Sequence, residues 1–479
     1  MTIDKTIEEL KRLYDTSANA LRDALAEFLE HGTPPSTAER DNGLFAYPEL
    51  IVRYQPDSSV PQISRAFGKF SEHGVFSTTI TQPAFFETYL REQLEPLCRD
   101  YEVELEVRPS ATEIPYPYVW DQEQAAKLNV EQSAEIALWF PAPNLAAIGD
   151  EVADGEYLSE AGHKPLALFD APRVDFSLQR LTHYTGTPFD HFQSYLLFTN
   201  YHRYIDAFAE WAVERLKQPG PYVSLSAAGG IEVTADTPNA LEKIRSAPWR
   251  RHQMPAYHLR REDGEGITMV NIGVGPSNAK TITDHLAVIR PQCWIMVGHC
   301  GGLRHSQRIG DYALAHAYLR DDHVLDDMLA PDIPVPPIAE IQVALHDAAA
   351  HVTGESGDAL KARLRTGTVV TTDDRNWELR FTKSARRINL SRAIAIDMES
   401  ATIAANGYRL RVPYGVLLCV SDKPLHGEIK LPGAANRFYE RAIGEHIRIG
   451  IQTLERLADE GGAALHSRKL RAFDEPPFR

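Results

Sequence analysis

Five short apolar segments in the second half of the chain constrain its fold more than any other feature. Continuous Val, Ile and Leu runs are typical of strands buried on both faces, as in a mostly parallel sheet covered by helices. We therefore expect an α/β fold here, with a mostly parallel or mixed sheet flanked by helices. The five segments are ITMVNIGVG (267–275), WIMVG (294–298), TGTVVTT (366–372), AIAID (393–397) and GVLLCVSD (415–422).

The first part of the chain has a different texture. Apolar residues at helical spacing predict an amphipathic helix over 3–29. Alternating segments within 49–108 indicate a smaller α+β unit, and the proline-rich stretch 108–121 is predicted to be a loop. A helix is predicted over 189–217. A chain of 479 residues is too long for one core, so we expect an α+β regulatory domain at 1–178 and a catalytic domain at 179–479.

Composition excludes several classes of protein. The net charge of −16 argues against a nucleic-acid coat, which needs a basic surface. The N-terminus lacks the apolar core of a signal peptide, and nothing approaches the roughly 20 apolar residues of a membrane span. The four cysteines show no metal-ligand spacing, so we expect buried thiols and no metal site. These features favour a cytoplasmic protein without a membrane partner.

Candidate functional residues follow the predicted strands, because ligands of open α/β sheets bind beyond the carboxyl ends of the strands. Gly275 and Ser277 lie in a strand-to-helix turn, where free N–H groups favour polar oxygens. His299 follows the next strand. Taken alone, the first feature favours a plain tight turn, and the alternative for His299 is a loop histidine without a role.

Two carboxyl groups complete the set. Glu399, in the sequence Asp397-Met398-Glu399-Ser400, lies where an acidic group either caps the following helix or accepts hydrogen bonds from a sugar diol. Asp422 ends the most apolar strand, where a buried carboxyl can donate a proton near neutrality, or else cap a turn or pair with Lys423. One sheet edge would thus carry small residues, a carboxylate that binds a sugar diol, and a proton donor. This set suits cleavage of an N-glycosidic bond, because the base leaves when its ring nitrogen is protonated or hydrogen-bonded.

Three ordered motifs resemble the nucleoside phosphorylase/nucleosidase superfamily: MVGHCGG (296–302), AIDMESA (395–401) and VLLCVSDKP (416–424). Longer stretches, including TTDDRNWELR (371–380), resemble the members of that superfamily that hydrolyse AMP to adenine and ribose 5-phosphate. The resemblance implies AMP as substrate, no cofactor for the chemistry, MgATP as allosteric activator, phosphate as inhibitor, and a homohexamer.

The resemblance also implies roles for single residues. Asp422 would hydrogen-bond or protonate adenine N7, and Glu399 would hold the ribose 2′- and 3′-hydroxyls while Met398 packs on the sugar. Trp377 is a candidate to stack on the base, with core packing as the alternative. Arg437 is a candidate to support the aspartate.

The motif departs from that of phosphorylases at two positions that grip their phosphate nucleophile. Met296 stands in place of an arginine and His299 in place of a serine or threonine. Losing a cation and a hydroxyl weakens a phosphate site, since one charge-assisted hydrogen bond contributes roughly 1.5–3 kcal/mol. Water is therefore the expected nucleophile.

The 5′-phosphate of the substrate needs cations of its own. Arg250, Arg251 and His183 are candidates, although a solvated basic face is the alternative for them. Two rival functions stay open at this point. One is a phosphorolytic enzyme of the same fold, and the other is a non-catalytic adenylate sensor.

Overall fold

The computed structural model describes residues 1–55, 69–120, 128–157, 163–429, 434–465, 470–472 and 474–479, except for the side chains of 434–441. The chain divides into two compact units, one formed by 1–179 with 471–479 and the other by 180–470. Within the described residues, none of the helices combines the length and the apolar character that a membrane crossing requires.

The first unit contains a four-stranded sheet in the order β3-β1-β2-β4, antiparallel except for the β2–β4 pair. Its strands are β1 (Ala46–Tyr54), β2 (Gly74–Thr79), β3 (Val103–Glu113) and β4 (His163–Pro165). Its helices are α1 (Ile3–His31), α2 (Thr37–Asp41), α3 (Glu87–Asp100), α4 (Val130–Trp139) and α5 (Glu151–Asp154). Helix α6 (Ala171–Thr185) contains the boundary between the units.

Helix α1 forms where its periodicity predicts it. The Thr2 side chain accepts a hydrogen bond from the Lys5 N–H at the first turn, and Gly32 ends the helix with a φ of 70°. Leu10 and Leu21 on its apolar face are fully buried. The loop predicted over 108–121 is wrong in its first part, because β3 continues to Glu113 as the edge strand beside β1, a position that tolerates Pro109.

The second unit is built on a ten-stranded mixed sheet in the order β13-β12-β11-β14-β10-β5-β9-β8-β6-β7. Its strands are β5 (Tyr195–Thr199), β6 (Tyr222–Ala227), β7 (Ile231–Val233), β8 (Ala256–Arg261), β9 (Ile267–Asn271), β10 (Cys293–Gly302), β11 (Tyr312–Asp321), β12 (Leu364–Thr372), β13 (Ala395–Asp397) and β14 (Tyr414–Asp422). Its helices are α7 (His202–Leu216), α8 (Ala240–Arg245), α9 (Pro276–Leu286), α10 (Ala339–Thr353), α11 (Gly357–Arg363), α12 (Phe381–Ser391), α13 (Ser400–Arg409) and α14 (Ala434–Glu460).

Strand pairing gathers several strand ends at one place. Strands β9, β5, β10 and β14 are parallel neighbours, so their carboxyl ends share one edge of the sheet. Strand β13 pairs with β12 and also runs antiparallel to the end of β10, which closes the sheet on itself at that side. The α/β class predicted from the apolar segments is confirmed.

The helix predicted over 189–217 is wrong in its first half. Residues Tyr195–Thr199 form β5, which is buried at every position in the middle of the sheet, and α7 begins only at His202. A short, fully buried segment satisfies both a buried strand and a buried helix, so periodicity alone could not separate them. This error hid the residues that follow β5.

Helix α13 packs very closely on the sheet at Gly407. A Cβ atom there would lie 2.5 Å from Tyr414 Cδ1 and 2.8 Å from the backbone oxygen of Val412. The neighbouring Trp294 is fully buried, and its Nε1 donates a hydrogen bond to the Ile403 oxygen. The helix therefore approaches the strand at a distance that only glycine permits.

We expect Gly407→Ala to lower the stability of the protein by about 1–3 kcal/mol, although alanine is the better helix former. Gly444 in α14 is the matched control, since a Cβ there meets nothing within 4 Å among the described residues. Gly444→Ala should stabilise by about 0.5–1 kcal/mol. Calorimetric unfolding of both variants tests the packing, and a stabilising Gly407→Ala would contradict it.

Candidate active site

A cavity of about 490 Å³ lies at the shared strand edge of the second unit. Most of its lining comes from residues at or just beyond the carboxyl ends of strands. These are Asn200 and Tyr201 after β5, Val274 after β9, His299, Cys300 and Gly301 in β10, Thr372 in β12, Asp397, Met398 and Glu399 at β13, and Ser421 and Asp422 in β14. The structure therefore brings together the strand ends on which the sequence predicted the chemistry.

Glu399 is buried, with 1% of its surface exposed, yet it lines this cavity. Its Oε1 accepts a hydrogen bond from the Gly275 N–H at 2.6 Å, and its Oε2 accepts one from Asn200 Nδ2 at 2.8 Å. Loops after three strands thus hold one carboxyl group in a fixed orientation.

Asp397 performs the helix-capping role that the sequence left open for this acidic segment. Its Oδ2 accepts hydrogen bonds from the backbone N–H and the hydroxyl of Ser400, and its Oδ1 accepts one from the Thr371 hydroxyl. The Glu399 side chain makes no capping hydrogen bond to α13. The two carboxyl groups therefore divide the tasks, and Glu399 is the one available to a ligand.

Burial makes both carboxyl groups reluctant to ionise. It raises the pKa of Glu399, and the negative charge of Asp397 raises it further, although the Gly275 and Asn200 donors oppose the shift. Burial likewise raises the pKa of Asp397, against the hydrogen bonds from Ser400 and Thr371. A ligand that donates hydrogen bonds to Glu399 would favour its charged form.

Asp422 ends β14 at an irregularity in the pairing with β10, where Cys300 faces Val420 but Gly301 faces Asp422. The Ser421 hydroxyl lies 2.6 Å from Asp422 Oδ1. The aspartate is half-buried and faces the cavity, so the expectation of a buried group holds only in part, because the strand becomes irregular before its end. Lys423, the alternative partner, forms an ion pair with Glu428.

The remaining walls combine apolar and aromatic side chains. Met398 is half-buried beside Glu399, and Trp377 lines the cavity from the short helical turn Trp377–Arg380. Trp377 also packs in a small apolar cluster with Leu303 and Ile388. The core-packing interpretation of this indole is therefore confirmed, and stacking on the base stays a prediction.

Several predicted site residues are not part of the lining. Ser277 is exposed in the first turn of α9, and Gly275 contributes its N–H to Glu399. Met296 is fully buried within β10, with its methyl group against Gly298, so its place carries no charge.

The predicted phosphate contacts lie elsewhere. Arg250, Arg251 and His183 are absent from the residues that line the cavity, and the Arg250 guanidinium lies 4.6 Å from the centre of the Trp249 ring. Arg437 falls in the part of α14 whose side chains are outside the described residues.

Asn200 and Arg375 are two of the lining residues that sequence reasoning missed. Asn200 was hidden by the assignment of β5 to a helix, and a strand end followed by a polar residue was the signal that could have found it. Arg375, exposed on the loop after β12, is the one arginine or lysine among the described lining residues. A charged loop residue carries no pattern of its own, so no signal in the sequence marked it.

Comparisons with known proteins identify relatives of both parts of the chain. Residues 5–164 match the family described as "Bacterial AMP nucleoside phosphorylase N-terminus", and residues 230–455 match the phosphorylase superfamily. AMP nucleosidase of Escherichia coli K12 is 58% identical over 480 residues, which cover all of this chain and 99% of the relative. The crystal structure of AMP nucleosidase from Bacteroides thetaiotaomicron is 28% identical, covering 59% of this chain and 96% of its own, with a TM-score of 0.43.

A relative of this identity over the whole length of both chains is decisive for membership. The superfamily match at 230–455 also includes both carboxyl groups of the cavity. The chain therefore belongs to the AMP nucleosidase family, within the phosphorylase superfamily.

Proposed function

We propose that the protein hydrolyses AMP to adenine and ribose 5-phosphate in the cavity that Glu399 and Asp422 share. The observation that carries the proposal is the pair of carboxyl groups, one fixed by Gly275 and Asn200 and the other at the end of β14. The 58% identity to the Escherichia coli AMP nucleosidase supports the choice of substrate.

The chemistry divides between the two carboxyl groups. Glu399 accepts hydrogen bonds from the ribose 2′- and 3′-hydroxyls, and its negative charge stabilises the oxocarbenium-like sugar of the transition state. Asp422 hydrogen-bonds or protonates adenine N7, so that the base leaves as a neutral molecule. Met398 packs on the sugar, and Trp377 provides an apolar wall for the base.

Water is the proposed nucleophile. The buried thioether of Met296 provides no charge for an inorganic phosphate, and the hydroxyl of the phosphorylase motif is replaced by His299. A phosphorolytic reaction would yield ribose 1,5-bisphosphate and would require added phosphate. A non-catalytic adenylate sensor would release no adenine.

We assign Arg375 as a contact for the 5′-phosphate. The substrate phosphate carries up to two negative charges, and Arg375 brings a positive charge to the described lining of the cavity. A guanidinium binds phosphate oxygens in a bidentate manner.

Regulation and assembly are inferred from the family resemblance. MgATP as activator, phosphate as inhibitor, a homohexameric assembly and a cytoplasmic location stay predictions. The first unit, which matches the family-specific N-terminal domain, is the part of the chain that we propose to be regulatory.

We expect Asp422→Asn to reduce kcat by about 10²–10⁴-fold, because an amide cannot supply the proton that adenine accepts. Asp373→Asn, an exposed aspartate outside the cavity lining, is the control. Adenine release from AMP without phosphate is the measurement, and calorimetry should find both variants folded. Near-normal turnover of Asp422→Asn would remove this residue from the mechanism, and product formation that depends on phosphate would favour phosphorolysis.

Glu399→Gln should separate stability from activity. Burial, with the charge of Asp397, raises the pKa of Glu399 well above its ordinary value. Between the pKa of the unfolded chain and that of the folded chain, the folded chain keeps a proton that the unfolded chain has lost, so this group's contribution to stability falls as pH rises. The glutamine side chain has no such proton to lose. We therefore expect the Glu399→Gln variant to melt about 2–6 °C above the wild type at pH 8.

The same variant should lose activity. We expect a fall of about 10²-fold in kcat/KM for AMP and a smaller fall for dAMP, since the 2′-hydroxyl has lost its charged acceptor. Melting curves between pH 4 and pH 8 and the ratio of the two rates are the measurements. A pH-independent difference in melting temperature, together with an unchanged AMP to dAMP ratio, would contradict the role of Glu399.

Arg375→Ala should raise KM for AMP about 10-fold or more while leaving the rate measured with adenosine nearly unchanged, because only AMP carries the 5′-phosphate. Arg386→Ala is the control, as Arg386 is exposed on α12 and is not part of the lining. An equal loss for AMP and adenosine would assign Arg375 to another part of the substrate.

A further inference from the structure

Three hydrogen-bonded rings connect the buried core of the second unit with the cavity. The Tyr204 hydroxyl in α7 lies 2.7 Å from His446 Nδ1 in α14 and 3.3 Å from His299 Nε2 in β10. His446 Nε2 lies 3.0 Å from the backbone oxygen of Leu417 in β14. Tyr204 and His446 are fully buried, whereas His299 lines the cavity. The proposed function gives no task to this chain of rings.

The hydrogen-bond directions along the chain follow from its buried end. A backbone oxygen only accepts, so His446 Nε2 carries a proton. Burial lowers the pKa of His446 to about 3, which leaves the ring neutral and makes Nδ1 an acceptor for the Tyr204 O–H. The phenol has then donated its one proton, and its oxygen accepts from His299. His299 therefore carries a proton on Nε2, and the acceptor nitrogen of this tautomer is Nδ1.

His299 also lies at a suitable place along the sheet. Its strand, β10, is bonded on one side to β5, whose end carries Asn200 with Glu399, and on the other side to β14, whose end carries Asp422. In the proposed function, Glu399 holds the ribose and Asp422 the purine. The sugar carbon C1′ joins those two groups, so the cleaved bond lies between their strands, beside β10.

We propose that His299 is the base that takes a proton from the attacking water, and that Tyr204 and His446 position it by fixing its tautomer. In the reaction the water oxygen bonds to C1′ and its proton passes to His299 Nδ1. The C1′–N9 bond breaks, its electron pair goes to the purine, and Asp422 delivers a proton to N7. Both residues then exchange one proton with solvent. This inference rests on the proposed function and adds the group that activates the nucleophile.

A purely structural chain of rings is the competing explanation, and Tyr204→Phe distinguishes the two. It removes one hydroxyl, so His299 loses the acceptor that fixes its tautomer. Tyr195→Phe is the matched control: Tyr195 is fully buried in the same unit, and its hydroxyl donates to the Leu457 oxygen at 3.2 Å, outside the cavity lining. We expect kcat to fall about 10–100-fold in Tyr204→Phe with KM within about 3-fold, and to change little in Tyr195→Phe.

Sodium azide supplies a readout that a structural role would not change. Azide is a nucleophile without a proton to lose, so it needs no base. We expect azide to restore turnover of His299→Ala and Tyr204→Phe, with 1-azido-ribose 5-phosphate detected by mass spectrometry, but not that of Asp422→Asn, whose leaving group stays unassisted. Unchanged kcat in Tyr204→Phe, or a loss in both His299 and Tyr204 variants that azide does not restore, would overturn the assignment. The Asp422 and Glu399 variants test the proposed function separately.

Discussion

The site depends on a carboxyl group that is removed from water and then held by two hydrogen-bond donors. Glu399 sits beside the buried Asp397 at the end of β13, and the Gly275 N–H and the Asn200 amide fix both of its oxygens. Burying two acidic groups together costs free energy, which the capping bonds on Asp397 and the donors on Glu399 only partly offset. The rest of the second unit provides the rigid strands that keep these donors in place.

The free-energy cost of burying Glu399 serves the proposed reaction. Its raised pKa favours the protonated form, and two ribose hydroxyls that donate to it would favour the charged form. The negative charge of Glu399 becomes most favourable when positive charge develops on the sugar. It therefore stabilises the transition state more than it stabilises the free enzyme. Functional sites commonly retain such locally unfavourable arrangements.

Much of the catalytic unit could be predicted from sequence, because both-face burial and strand-end chemistry leave local patterns. The apolar segments after residue 265 correctly predicted β9, β10, β12, β13 and β14. The residues at or after their ends included three that line the cavity, His299, Glu399 and Asp422. The prediction for Tyr195–Thr199 failed, because five buried residues in succession show no periodicity. Asn200 was lost with that strand, and Arg375 depends on how a loop folds over the sheet, which composition does not encode. The rings of Tyr204 and His446 come together only through the packing of α7 against α14, which itself packs on β10 and β14.

The crystal structure of the Asp422→Asn variant with AMP bound tests the central claim most directly, because the slow variant preserves the substrate. The account predicts the ribose 2′- and 3′-hydroxyls within about 3 Å of the Glu399 oxygens and adenine N7 within about 3 Å of the residue 422 amide, as hydrogen bonds require. A nucleotide whose sugar lies away from Glu399, or whose purine lies away from the end of β14, would contradict it.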